Sequence, residues 1–180
     1  MKLKTAGILT AMSAIFITAN ANANVLFDIY AGATVGAGAA TLFAHDKDDT
    51  QSAQSYGAVL GIDIPALRFE LEYNYLNNDD TKLHIGMINA YAKMPTPAIK
   101  PYFGLGIGNV FGGDAPMPHV DINDGMAYQG MLGLTFDVPV LPLKIDTEAR
   151  VLYAPDIYKY DNDKPDLLHY DLRIKLRYVF

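Results

Sequence analysis

The sequence predicts an all-β fold: an eight-stranded antiparallel up-and-down transmembrane β-barrel. Three observations carry this. Apolar and polar residues alternate strictly over stretches longer than ordinary strands, short proline-bearing connections alternate with long polar ones, and aromatic residues sit at both ends of the apolar faces.

Ahead of the barrel, residues 1–23 read as a signal peptide. Lys2 and Lys4 precede an apolar run from Ala6 to Ala19, and Ala21-Asn22-Ala23 supplies small residues for cleavage after Ala23. The run is short for a spanning helix, which needs about 20 apolar residues. Two segments follow, 1–23 for export and 24–180 as the barrel. Losing Lys2 and Lys4 lowers 14 basic residues to 12 against 20 acidic ones, a net charge of −8. An acidic chain of this kind is a poor partner for nucleic acid, whose phosphates need clustered Lys and Arg. Cysteine is absent, which excludes disulfides and thiolate metal sites.

The clearest strand is Leu67-Arg68-Phe69-Glu70-Leu71-Glu72-Tyr73-Asn74-Tyr75, with one dry and one wet face. The end of the chain repeats it. Leu168, Tyr170, Leu172, Ile174, Leu176, Tyr178 and Phe180 share one face, and His169, Asp171, Arg173, Lys175 and Arg177 the other. Weaker copies over Val25–Ala37, Gln54–Ile62, His84–Met94, Pro101–Val110, Met126–Val138 and Leu143–Tyr153 complete eight strands. In the fourth, Asn89 and Lys93 face the lumen only if His84 lies on the outer face near the rim.

Asp63–Ala66, Pro95–Lys100 and Pro139–Pro142 are short and carry proline, a mark of turns. Gly38–Ala53, Leu76–Leu83, Phe111–Gly125 and Ala154–Leu167 are longer and polar. Short periplasmic turns and longer extracellular loops are the rule for outer-membrane barrels. On the apolar faces Tyr56, Tyr73, Tyr75, Tyr153 and Tyr170 lie toward the long loops, and Phe27, Phe69, Phe103, Phe136, Tyr178 and Phe180 toward the turns. Two aromatic girdles suit two membrane interfaces. A soluble lipocalin-like barrel or sandwich would explain neither the girdles nor the strand lengths.

Three stretches carry a family resemblance: Pro101-Tyr102-Phe103-Gly104-Leu105-Gly106-Ile107-Gly108, the Asp146/Glu148/Arg150 strand, and the ending Tyr178-Val179-Phe180. With them the chain resembles the small eight-stranded outer-membrane barrels of the OmpA-type and opacity-protein-like group. The resemblance covers residues 24–180. It implies an outer-membrane location in a Gram-negative-type envelope, contact with outer-membrane lipid and lipopolysaccharide, and recognition of Phe180 by the barrel assembly machinery as an assembly signal.

The ionisable residues expected in the lumen are Asp28, Arg68, Glu70, Glu72, Asp137, Lys144, Asp146, Glu148, Arg150, Asp171, Arg173, Lys175 and Arg177. Eight strands leave an interior just wide enough for side chains. The expectation is an ion-paired network of Arg68, Glu70, Glu72, Asp146, Glu148, Arg150, Arg173, Lys175 and Arg177. Gly32, Gly36, Gly104, Gly106 and Gly108 face inward on opposite strands and leave space, for a narrow porin-like channel or for long basic side chains. The loops are rich in aspartate, and Asp121-Ile122-Asn123-Asp124-Gly125 echoes the start of a calcium loop without its closing glutamate, so no metal site is expected. Outside the signal only Ser52 and Ser55 are available as serine nucleophiles, and His84, His119 and His169 have no serine nearby in sequence. The reading is a non-enzymatic barrel without cofactor that serves envelope structure and presents acidic loops to an external ligand, with a narrow channel for small solutes or ions as the alternative.

Overall fold

The computed structural model describes residues 27–44, 47–78, 82–96, 99–114, 121–122, 125–155, 158–159 and 166–180. The proposed signal peptide, the start of the first strand at Val25 and the Asn123-Asp124 pair lie outside them.

Ten strands follow in chain order: β1 (Asp28–Ala44), β2 (Lys47–Asp63), β3 (Leu67–Asn78), β4 (Lys82–Lys93), β5 (Ile99–Asp114), β6 (Asp121–Ile122), β7 (Gly125–Asp137), β8 (Leu143–Ala154), β9 (Tyr158–Lys159) and β10 (Asp166–Val179). Eight of them close into an antiparallel barrel in the order β1-β10-β8-β7-β5-β4-β3-β2, and β6 pairs with β9 beside it. Closure is made by β1 on β10, from Tyr30 opposite Val179 to Phe43 opposite Asp166.

Period two sets the two faces. In β3 exposure alternates residue by residue from Leu67 to Leu76, with Leu67, Phe69, Leu71 and Tyr73 exposed and Arg68, Glu70, Glu72 and Asn74 buried. The dry face therefore points out. Leu172 is 73% exposed, while Arg68, inward on β3, is fully buried. A soluble protein of this size would hide such residues; here Leu71, Ile88, Leu105, Leu132, Leu172 and Ile174 form part of an outward apolar belt. The aromatic residues predicted for the two girdles all take outward positions, with Tyr128 and Phe111 joining them. His84 lies on the outer face, so Asn89 and Lys93 take inward positions.

The strands run further than the alternation suggests. The loop expected over 38–53 is almost wholly hairpin, because β1 and β2 stay paired up to Ala44 opposite Lys47. Likewise β3 and β4 continue to Asn77 opposite Lys82. Ladder hydrogen bonds need no apolar face, so pairing outlasts the pattern that marks the membrane. At 12 to 17 residues the barrel strands exceed the 9 to 11 or so that a tilted strand needs to cross a bilayer. Their far ends therefore project beyond it.

Among the turns, Val140 has a φ of 71° and is fully exposed. A β-branched residue is disfavoured in the left-handed region, and nothing packs on this one. Val140→Asn should stabilise the barrel by about 1 kcal/mol, seen as a higher urea midpoint.

Candidate functional site: a charged lumen under an apolar cap

Inward side chains stack in layers along the barrel axis. At the turn end, Asp63 is the last residue of β2 and not part of a turn. It receives Arg177 at 3.1 Å and Lys144 at 3.3 Å, and also pairs with Lys93. Lys144 bridges to Asp28 at 3.3 Å. Lys100 and Asp137 pair at the exposed rim.

One layer further in, Asp146 is held from two sides, by Arg177 Nε at 2.8 Å and by Arg68 Nη1 at 3.0 Å from across the lumen. The guanidinium of Arg68 lies 3.9 Å from the ring centre of Tyr91 and 4.5 Å from that of Tyr102, two rings that meet edge to face beside it. Arg177 lies in the same way over Tyr30, at 4.7 Å.

Glu70 forms the next layer with Lys175 at 2.7 Å, and accepts hydrogen bonds from Tyr30 (2.7 Å) and Tyr91 (2.8 Å). Strand register places Lys175 opposite Asp146, yet it reaches across to Glu70 because both arginines already hold Asp146. Arg173 then bridges Glu72 on β3 and Glu148 on β8, tying opposite walls together, and its Nε donates to Glu148 at 3.0 Å. Asn89 (2.6 Å) and Gln129 (3.0 Å) also donate to Glu72, and Tyr102 donates to Glu148 at 3.0 Å.

Above this, Arg150 is drawn to Asp171 of β10 at 2.7 Å. Ser55 donates to the same carboxylate at 2.6 Å, and His169 Nε2 lies 3.1 Å from it. Serine and histidine thus meet here, although their sequence positions give no hint of it. Ser55 donates to the carboxylate and not to the imidazole, and all three side chains are buried, so the hydroxyl is neither activated nor reachable.

The far end of the lumen is different in kind. Leu76, Leu83, Ile85, Val110, Leu152 and Leu167 turn inward and form an apolar cluster with Met87 and several alanines. The charged layers are therefore closed over by a small hydrophobic core.

Charge balance makes the interior tolerable. Six buried acids (Asp63, Glu70, Glu72, Asp146, Glu148 and Asp171) face five buried bases (Arg68, Arg150, Arg173, Lys175 and Arg177), and Lys93 at the rim adds a sixth. Buried charges persist only when paired and hydrogen-bonded.

No protein-family model and no curated protein matches the chain. Solved structures do. Neisserial surface protein A is 20% identical, covers 84% of this chain with 97% of its own, and superposes with a TM-score of 0.63. The fold is that of the eight-stranded outer-membrane barrels. The N-terminal barrel domain of OprF from Pseudomonas aeruginosa is 12% identical, with coverages of 82% and 97% and a TM-score of 0.49. Ail of Yersinia pestis, the attachment invasion locus protein solved with the heparin analogue sucrose octasulfate, is 9% identical, with coverages of 84% and 99% and a TM-score of 0.40.

In this barrel the inward glycines make room for neighbouring side chains. A Cβ on Gly61 would strike the ring of Tyr30, one on Gly104 that of Tyr91, and one on Gly133 that of Tyr102. Each glycine is the register partner of its tyrosine on the next strand. The rings lie flat across the space that the glycines leave. Gly106 makes room for Asn89 and Gln129 in the same manner, and Gly36 for Arg173. Gly104→Val should push Tyr91 off both Glu70 and Arg68 and cost about 1 to 3 kcal/mol, as overpacking does, measured by urea unfolding in lipid vesicles.

All nine residues of the expected network lie inside the lumen, and the structure adds partners that alternation alone could not name. Tyr30, Tyr91, Tyr102, Asn89 and Gln129 sit at inward positions, where parity was the only signal. Phe180, outward at the turn end, donates its backbone N–H to Ile29 at 2.9 Å and packs edge-on against Tyr178 at 5.2 Å.

Proposed function

We propose that the chain is an outer-membrane barrel with a closed, ion-paired lumen, non-enzymatic, which serves envelope structure and presents the connections at its far end to external partners. One observation carries this: large apolar side chains face outward around the barrel while the interior is filled by paired charges beneath an apolar cap. The far end is where β6 and β9 pair, holding the two longest connections beside one another. Their aspartates make it a surface for basic ligands or cations. The narrow-channel alternative finds no support in an interior whose glycines are covered.

The proposal includes export by residues 1–23 with cleavage after Ala23. An epitope inserted within 115–120 should be reached by protease on intact cells, and one inserted at Leu141 should not. Recovery of the protein in the soluble periplasmic fraction would contradict the reading.

Phe180 is proposed as part of the assembly signal. Deleting it removes one aromatic side chain and one backbone hydrogen bond at the rim, a loss of about 1 kcal/mol for a group so near the interface. Levels in the outer membrane should nonetheless fall severalfold while the purified, refolded truncation unfolds near the wild-type midpoint. Unchanged levels would count against the role.

A further inference from the structure

Among the described side chains, only two basic ones point outward from the barrel strands, and they are neighbours on one face of β4: Lys82 and His84. Both lie at the far end, where the apolar belt gives way to the projecting hairpins. The sole register irregularity in the described barrel ladders falls at the same place. His84 faces Gly112 and Ile85 faces Val110, which leaves Phe111 as an extra residue. Bulges of this kind re-aim a side chain. Here the Phe111 ring is thrown outward over Gly86 and against its neighbours, with ring centres 6.4 Å from His84 and 6.1 Å from Tyr73. Tyr75 lies 5.2 Å from the imidazole on the other side, and the Tyr73 hydroxyl meets His84 Nδ1 at 2.6 Å.

This is a rigid mount for one imidazole. With the tyrosine donating to Nδ1, the imidazole keeps its N–H on Nε2 as a donor, two residues from Lys82 on the same face of the strand. Directly below, the outer face of β3 to β5 is a shallow apolar groove lined by Leu71, Tyr73, Ile88 and Ile107. An ammonium and an imidazole N–H donor above an apolar groove, at the height of the aromatic girdle, complement an amphiphile with an anionic head and acyl chains.

Resting on the membrane reading given above, we infer that Lys82 and His84 form a docking site for the phosphate of an outer-leaflet glycolipid, lipid A, with one acyl chain in the groove below.

The refolded barrel in neutral detergent is titrated with bisphosphorylated lipid A and with the same lipid stripped of phosphate, and bound lipid is read by native mass spectrometry. The phosphorylated form should bind about tenfold more tightly, the worth of one charge-assisted hydrogen bond. Lys82→Ala with His84→Gln should erase that preference without altering the folded band on gels, since neither side chain is buried. A preference that is absent, that survives the double substitution, or that inorganic phosphate alone competes away overturns the site. Insertion into vesicles, scored by protease protection, is independent of these two residues. Normal insertion without phosphate preference would sink this inference alone, whereas failure to insert would sink the membrane reading and this site with it.

Discussion

Arg173→Met should lower the unfolding free energy of the refolded barrel by about 3 to 5 kcal/mol, the usual cost of leaving a buried charge without its partner. Arg173 lies between Glu72 and Glu148, both fully buried, and its one guanidinium pairs with a carboxylate on each of those opposite walls. Removing it sets two carboxylates in a low-dielectric layer with only Asn89, Gln129 and Tyr102 as close hydrogen-bond donors and Lys175 at 4.0 Å from Glu148. Glu148→Gln should cost a comparable amount. The double variant should be less destabilised than the two single losses added together, by about 1 to 3 kcal/mol, because each partner's loss relieves the other. Additive losses in urea would mean that the two side chains are independently solvated, as in a water-filled passage.

Leu83→Ala should cost about 2 to 5 kcal/mol, since the side chain is fully buried among Leu76, Ile85 and Leu152 in the cap and its removal leaves a cavity. The same change at Leu172, in the middle of the outward belt, should cost only the transfer part, because acyl chains flow into the gap. Equal losses at the two positions would show that the cap is not packed. The cap also matters for function as proposed, for it closes the charged layers from the far side, and polar water could not cross it without opening those contacts.

Much of this architecture can be read from period two. Leu67–Tyr75 and Leu168–Phe180 alternate so strictly that they assign Arg68, Glu70, Glu72, Arg173, Lys175 and Arg177 to one face, and that face is the interior. Their partners are harder to read. Register decides that Arg173 meets Glu148 and that Arg150 meets Asp171, and register is not written in any single strand. Asp63 is obscured by Pro65, which makes it look like part of a turn, although β2 runs to it and three bases converge on it. The cap is hidden for a related reason. Leu76, Leu83 and Leu152 occupy polar parity at strand ends, and in β3 Leu76 follows a wet face of Arg68, Glu70, Glu72 and Asn74 without any break in period. The change from charged to apolar lining depends on height along the barrel axis and not on sequence spacing.

The closed lumen is open to one decisive observation, single-channel current through the refolded chain in a planar bilayer. An interior of paired charges beneath an apolar cap should give a silent membrane over a wide voltage range, with no discrete steps before or after Gly104→Val. Steps whose ion selectivity changes on replacing Glu72 with Gln, together with small losses of stability in that variant, would mean that the charged layers line a conducting path.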